Sequence, residues 1–85
     1  MMPSFTHTIE DEIGLHARPA AVFVRTAGRF AATITVSRDD RTADAKSLLE
    51  VLQLEAGKGA VVMVTAEGDD AEAALTALRE VLAGA

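Results

Sequence analysis

The chain has no cysteine, tryptophan or tyrosine, and it carries only three phenylalanines and two histidines. Without thiols it can build neither a disulfide framework nor a thiolate metal centre. His7 and His16 stand at no metal-ligand spacing, so no metal and no cofactor is expected. Phe5, Phe23 and Phe30 are too few to serve as the stacking platform of a small RNA-binding domain. No apolar run approaches the ~20 residues that cross a membrane. The first residues lack the basic start and apolar run of a secretory signal. A cytoplasmic location without membrane insertion is therefore expected, with Met1-Met2 leaving the start open by one residue.

Carboxylates are also missing from one long window. Between Glu12 and Asp39 there is none, while Arg18, Arg25, Arg29 and Arg38 all fall there. Those four positive charges sit in a chain of formal net charge −5, so the remainder carries −9. An acidic chain of this kind is a poor general nucleic-acid binder. The basic window fits a docking face for an acidic partner, and it equally fits a solvated helix face. Charge alone leaves both readings standing.

What is present suits one small domain spanning residues 1–85, with enough apolar residues for one layer of helices on one sheet. Ser4 to Ile9 alternates, with Phe5, His7 and Ile9 on one side, and predicts a first strand that gives His7 a structural place. From Ala17 to about Gly28, Ala20, Phe23, Val24 and Ala27 recur at helical spacing. At ~100° per residue, Arg18, Arg25 and Arg29 share the opposite face. Ala32 to Arg38 reads as a strand, Asp39-Asp40 as a hairpin turn and Arg41 to Asp44 as the returning strand. Lys46 to Leu54 reads as a short helix with Ser47 and Glu50 in a capping box. Its Leu48, Leu49, Val51, Leu52 and Leu54 span an arc of ~220° on the same step. That is wider than a core needs, so part of it should form an exposed apolar patch. After the turn at Gly57-Lys58-Gly59, Ala60 to Thr65 predicts a central strand. Gly68-Asp69-Asp70 then stops it and caps a last helix through Leu82. The order strand, helix, strand, strand, helix, strand, helix predicts an α+β fold, an antiparallel sheet with its helices on one face.

The chemistry concentrates in Gly14-Leu15-His16-Ala17-Arg18-Pro19-Ala20. Pro19 is tolerated only if the helix begins two or three residues earlier, because first-turn amides have no acceptor to lose. His16 is then the N-cap or its neighbour, and Ser, Thr, Asp or Asn would make a better cap. Such local costs often mark function. The free amides of Ala17 and Arg18, with the positive end of the helix dipole, make a place for an anion such as phosphate. That field also favours the neutral imidazole as a nucleophile. Arg18 can pair with phosphoryl oxygens. No Ser or Cys lies nearby to support hydrolysis. The residues alone leave two readings, a reversible phosphohistidine and a surface histidine without chemistry.

Gly14-Leu-His-Ala-Arg-Pro-Ala-Ala21, Lys46-Ser47-Leu48, Ala56-Gly-Lys-Gly59 and Thr65-Ala-Glu-Gly68 together resemble the HPr family. These are the histidine-containing phosphocarriers of the bacterial phosphoenolpyruvate:sugar phosphotransferase system. The resemblance covers nearly the whole chain. It implies an open-faced β-sandwich, four antiparallel strands covered on one face by three helices. It implies a carrier, not an enzyme, and a monomer. His16 would accept a phosphoryl group on Nδ1 from phosphorylated enzyme I and pass it to enzyme IIA domains, with Ala17 and Arg18 holding the phosphate. Arg18, Ala21, Arg25, Leu48, Leu49 and Leu52 would form the docking face. Ser47 matches the position that a dedicated kinase modifies in many Gram-positive members, although Glu50 stands where those members commonly have a small residue. The nitrogen-branch relatives share the histidine chemistry with a regulatory output, and they usually lack a lysine before the serine. A non-catalytic interaction module of the same fold is a further alternative, against which His16 and Arg18 both count.

Overall fold

The computed structural model describes residues 2–12 and 14–84; Met1, and with it the choice of start, lies outside them. Strands β1 (Ser4–Thr8), β2 (Thr33–Arg38), β3 (Arg41–Asp44) and β4 (Val61–Glu67) form one antiparallel sheet in the order β1-β4-β2-β3. Helices α1 (Ala17–Ala27), α2 (Leu48–Gln53) and α3 (Ala71–Gly84) cover one face. The expected α+β architecture is the observed one.

Alternation along each strand decides which face is covered. Phe5, Ile34, Val36, Ala43, Val62, Val64 and Ala66 point to the helices and are buried. Ser4, Thr6, Thr8, Thr33, Thr35 and Thr42 lie on the open side, where a hydroxyl keeps its water. β4 is central, as its apolar composition predicts, but its run is not buried on both faces. Val61 and Met63 stand exposed on the open side. The helices close the core with Ala20, Phe23 and Ala27 of α1, Val51 of α2, and Ala71, Ala74, Leu75, Leu78 and Leu82 of α3. Full burial of Phe23 alone is worth about 2–3 kcal/mol.

Three local details depart from the sequence reading. α1 ends at Ala27, where the Gly28 amide donates to the Val24 carbonyl at 3.0 Å, so Arg29 lies in the following turn and not on the helix face. α2 is shorter than expected, with Lys46 outside it. Asp70 precedes α3, but its carboxylate accepts from the amides of Ala31 and Ala32 at 2.8 and 2.9 Å, tying the α1–β2 loop to the start of α3.

Candidate functional site

His16 is placed by a short loop pinned to a second loop. Gly14 has φ +84°, and a Cβ on it would stand 2.7 Å from the Ala56 carbonyl oxygen and from the Gly57 Cα. Only glycine fits that approach. Next to it, the Leu15 amide donates to the same Ala56 oxygen at 2.8 Å, and the Leu15 side chain is buried. The chain leaves this anchor at His16, whose backbone is extended and whose carbonyl accepts from the Ala20 amide at 3.0 Å, opening α1. His16 is thus the N-cap, yet its side chain makes no capping hydrogen bond. The imidazole is half-buried. Pro19 is the third residue of α1 and brings no N–H, so the first turn offers two outward amides, those of Ala17 and Arg18.

Arg18 and Arg25 project from the exposed side of α1, and Arg29 is exposed just beyond it. None of the three makes an ion pair among the described residues. Ala21 is half-buried on the same helix. Between Arg18 and Arg25 sits Val22, 43% exposed. An open depression is lined by His16, Arg18, Pro19 and Val22 on one side and by Glu80, Val81 and Gly84 of α3 on the other, with Asp11 also at its margin. Among the described residues no group of three or more His, Cys, Asp or Glu is placed to hold a metal ion.

The second surface is α2. The Ser47 hydroxyl accepts from the Glu50 amide at 3.3 Å, so Ser47 caps the helix as expected. The reciprocal half of a capping box is absent. The Glu50 carboxylate accepts from the Asp44 amide at 2.9 Å, while the Ser47 amide donates to the Asp44 carbonyl at 3.0 Å. At the other end, Arg41 and Arg38 donate to the carbonyls of Gln53 and Leu54 at 3.2 and 3.1 Å. Cations at a helix C-terminus meet its unpaired carbonyls and the negative end of its dipole. The wide apolar arc resolves into a buried part, Val51 and Leu54, and an outer part, Leu48 at 39% and Leu49 at 68% exposure. Leu52, expected on the docking face, is partly buried and packs against the core.

α1 and α2 pack on one another, so the arginines and the exposed leucines belong to neighbouring elements of the helix layer. Sequence reasoning missed Val22 and Glu80. Val22 was within reach, since four residues after Arg18 places it ~40° away on the same helix face. Glu80 was not, because only the packing of α3 against α1 brings it to the depression.

Residues 3–84 match the family model described as the PTS HPr component phosphorylation site. Phosphocarrier protein HPr of Haloferax volcanii is 48% identical over 79 residues, covering 91% of this chain and 89% of that protein. HPr-C-His from Thermoanaerobacter tengcongensis superposes with a TM-score of 0.93 at 42% identity, over 98% of this chain and 93% of that one. An HPr dimer from the same organism gives 0.78 at 42% identity, over 94% and 92%. With both the sequence pattern and the sheet-and-helix arrangement shared, the chain belongs to the HPr family of phosphotransferase-system phosphocarriers.

Proposed function

We propose that this chain is a cytoplasmic, monomeric, single-domain carrier that takes a phosphoryl group from phosphorylated enzyme I on Nδ1 of His16 and delivers it to enzyme IIA domains. The neutral imidazole attacks with its Nδ1 lone pair. The bond between phosphorus and the donor breaks as the new N–P bond forms, and the electron pair of the broken bond leaves with the donor. The amides of Ala17 and Arg18 and the Arg18 guanidinium offset the charge on the phosphoryl oxygens. Such transfer relies on positioning and electrostatics, which this small set of groups can supply with help from the partner.

The observation that carries the reading is the N-cap itself. Among the described residues, an imidazole that makes no capping bond stands beside two unmet amides and an arginine without an ion pair, in the lining of an open depression. Docking would use Arg18, Ala21 and Arg25 for an acidic partner, with Leu48 and Leu49 supplying apolar contact. Leu52 would support that patch from beneath. Ser47 is proposed as a regulatory position. A phosphate there would suit the start of α2 electrostatically but would place negative charge beside Leu48 and the docking face.

Incubation with phosphoenolpyruvate and enzyme I should add one acid-labile phosphate, read as a ~80 Da increment in intact mass, the increment of one phosphoryl modification. His16→Ala should abolish it. An unmodified wild-type chain, or a His16→Ala chain that still gains the increment, would refute the assignment.

A further inference from the structure

Two helix ends of opposite character meet at the His16 depression. α1 brings its N-terminal amides and Arg18, whereas α3 brings its last turn, with Val81 and Gly84, and the carboxylate of Glu80. The N-terminus of a helix carries roughly half a positive charge and the C-terminus half a negative one. Glu80 is exposed, and among the described residues it makes no hydrogen bond or ion pair. It is not in the α3 core, which Leu75, Leu78 and Leu82 supply. Asp11, the other carboxylate at the margin, has an interaction of its own. One wall of the depression therefore attracts a phosphoryl group and the other repels it.

We infer that Glu80 sets the phosphoryl-transfer potential of His16, its carboxylate destabilising the phosphohistidine relative to the free imidazole. The inference rests on His16 being the phosphoryl acceptor. A phosphoryl group brings close to two negative charges. Facing the Glu80 carboxylate across an open depression, that charge should shift the equilibrium about two- to fourfold at low salt, and less once salt screens it. The carrier is thereby a readier donor and a less greedy acceptor. Arg18 holds the group in place while Glu80 keeps it from being held too well.

Competition between two chains for one phosphoryl group tests this directly. Phosphorylated wild-type chain is mixed with an equal amount of isotopically labelled, unphosphorylated Glu80→Gln and a catalytic trace of enzyme I, without phosphoenolpyruvate. Intact masses at equilibrium give the partition. About two- to fourfold enrichment of phosphate on Glu80→Gln at low salt, shrinking toward equality at ~1 M salt, supports the inference. Equal partition at low salt, or enrichment on the wild type, overturns it. Glu72→Gln removes the same charge from the first turn of α3, eight residues away. It should partition equally with the wild type; an equal gain for that variant would reduce the effect to net charge and overturn the inference. Thermal unfolding of Glu80→Gln should match the wild type, which separates the effect from any loss of structure. If no wild-type chain can be phosphorylated at the outset, the acceptor reading itself fails.

Discussion

Gly14 shows how one residue without a side chain controls a site it does not chemically join. Its positive φ and its missing Cβ, which would stand 2.7 Å from the 56–57 backbone, let Leu15 reach the Ala56 oxygen, and Leu15 hands the chain to His16. Adding a methyl group would force the two loops apart and strain the backbone. Gly14→Ala should cost about 2 kcal/mol, a fall of ~10 °C in the unfolding midpoint for a domain of this size. It should also slow phosphorylation of His16 in the folded fraction. Circular dichroism melting reads the first effect, and an unchanged midpoint would mean that the loops yield without cost. Asp70 works at the same scale from the opposite end of the layer. One carboxylate holds two successive amides of the α1–β2 loop. Each such charge-assisted bond is worth more than a neutral one.

Among the elements, α2 is the most dependent on its ends. It has only six residues, too few to stand alone. Ser47 caps its start, and two arginines from the β2–β3 hairpin hold its last carbonyls. Just past its C-cap Leu54, Glu55 takes φ +53°, the left-handed conformation that glycine or asparagine usually fills at a helix end. Glu55→Gly would relieve about 1 kcal/mol of strain. It would give back part of that through unfolded-chain entropy and through loss of the exposed 3.4 Å pair with Arg41. A net gain of about 0.5 kcal/mol, or ~3 °C in a thermal melt, is expected. A lower midpoint would show that the carboxylate holds the turn.

These elements were legible to the extent that periodicity wrote them. The bounds of β3 and the start of α1 follow from alternation and from Pro19, because each reflects chemistry within a few residues. The Ser47 cap was readable for the same reason. The destination of the Glu50 carboxylate, the Asp70 bonds across 38 and 39 residues, and the place of Arg29 in the turn after α1 were not. Each depends on where a distant backbone happens to lie. The exposure of Val61 and Met63 escaped notice because an apolar run does not reveal which face of a sheet is left uncovered.

At the scale of the molecule, charge is sorted rather than balanced. A chain of formal net charge −5 presents three exposed arginines along α1 and just beyond its C-terminus, none with an ion pair among the described residues. If these steer an acidic partner, Arg25→Glu should weaken binding to enzyme I about tenfold at low ionic strength. The loss should be much smaller at 0.5 M salt, where exposed charges are screened over a few ångströms. Calorimetric titration at two salt concentrations measures it, and an equal loss at both would remove steering from the account. Everything assigned to partner contact lies in the helix layer, while the sheet turns a hydroxyl-rich face the other way. Because the chain has no native thiol, a cysteine placed at Thr6 on that far face would be its only one. A dye or a surface linker attached there would hold the protein by its back, leaving His16 turned toward the solution and the exchange of phosphate open to observation one molecule at a time.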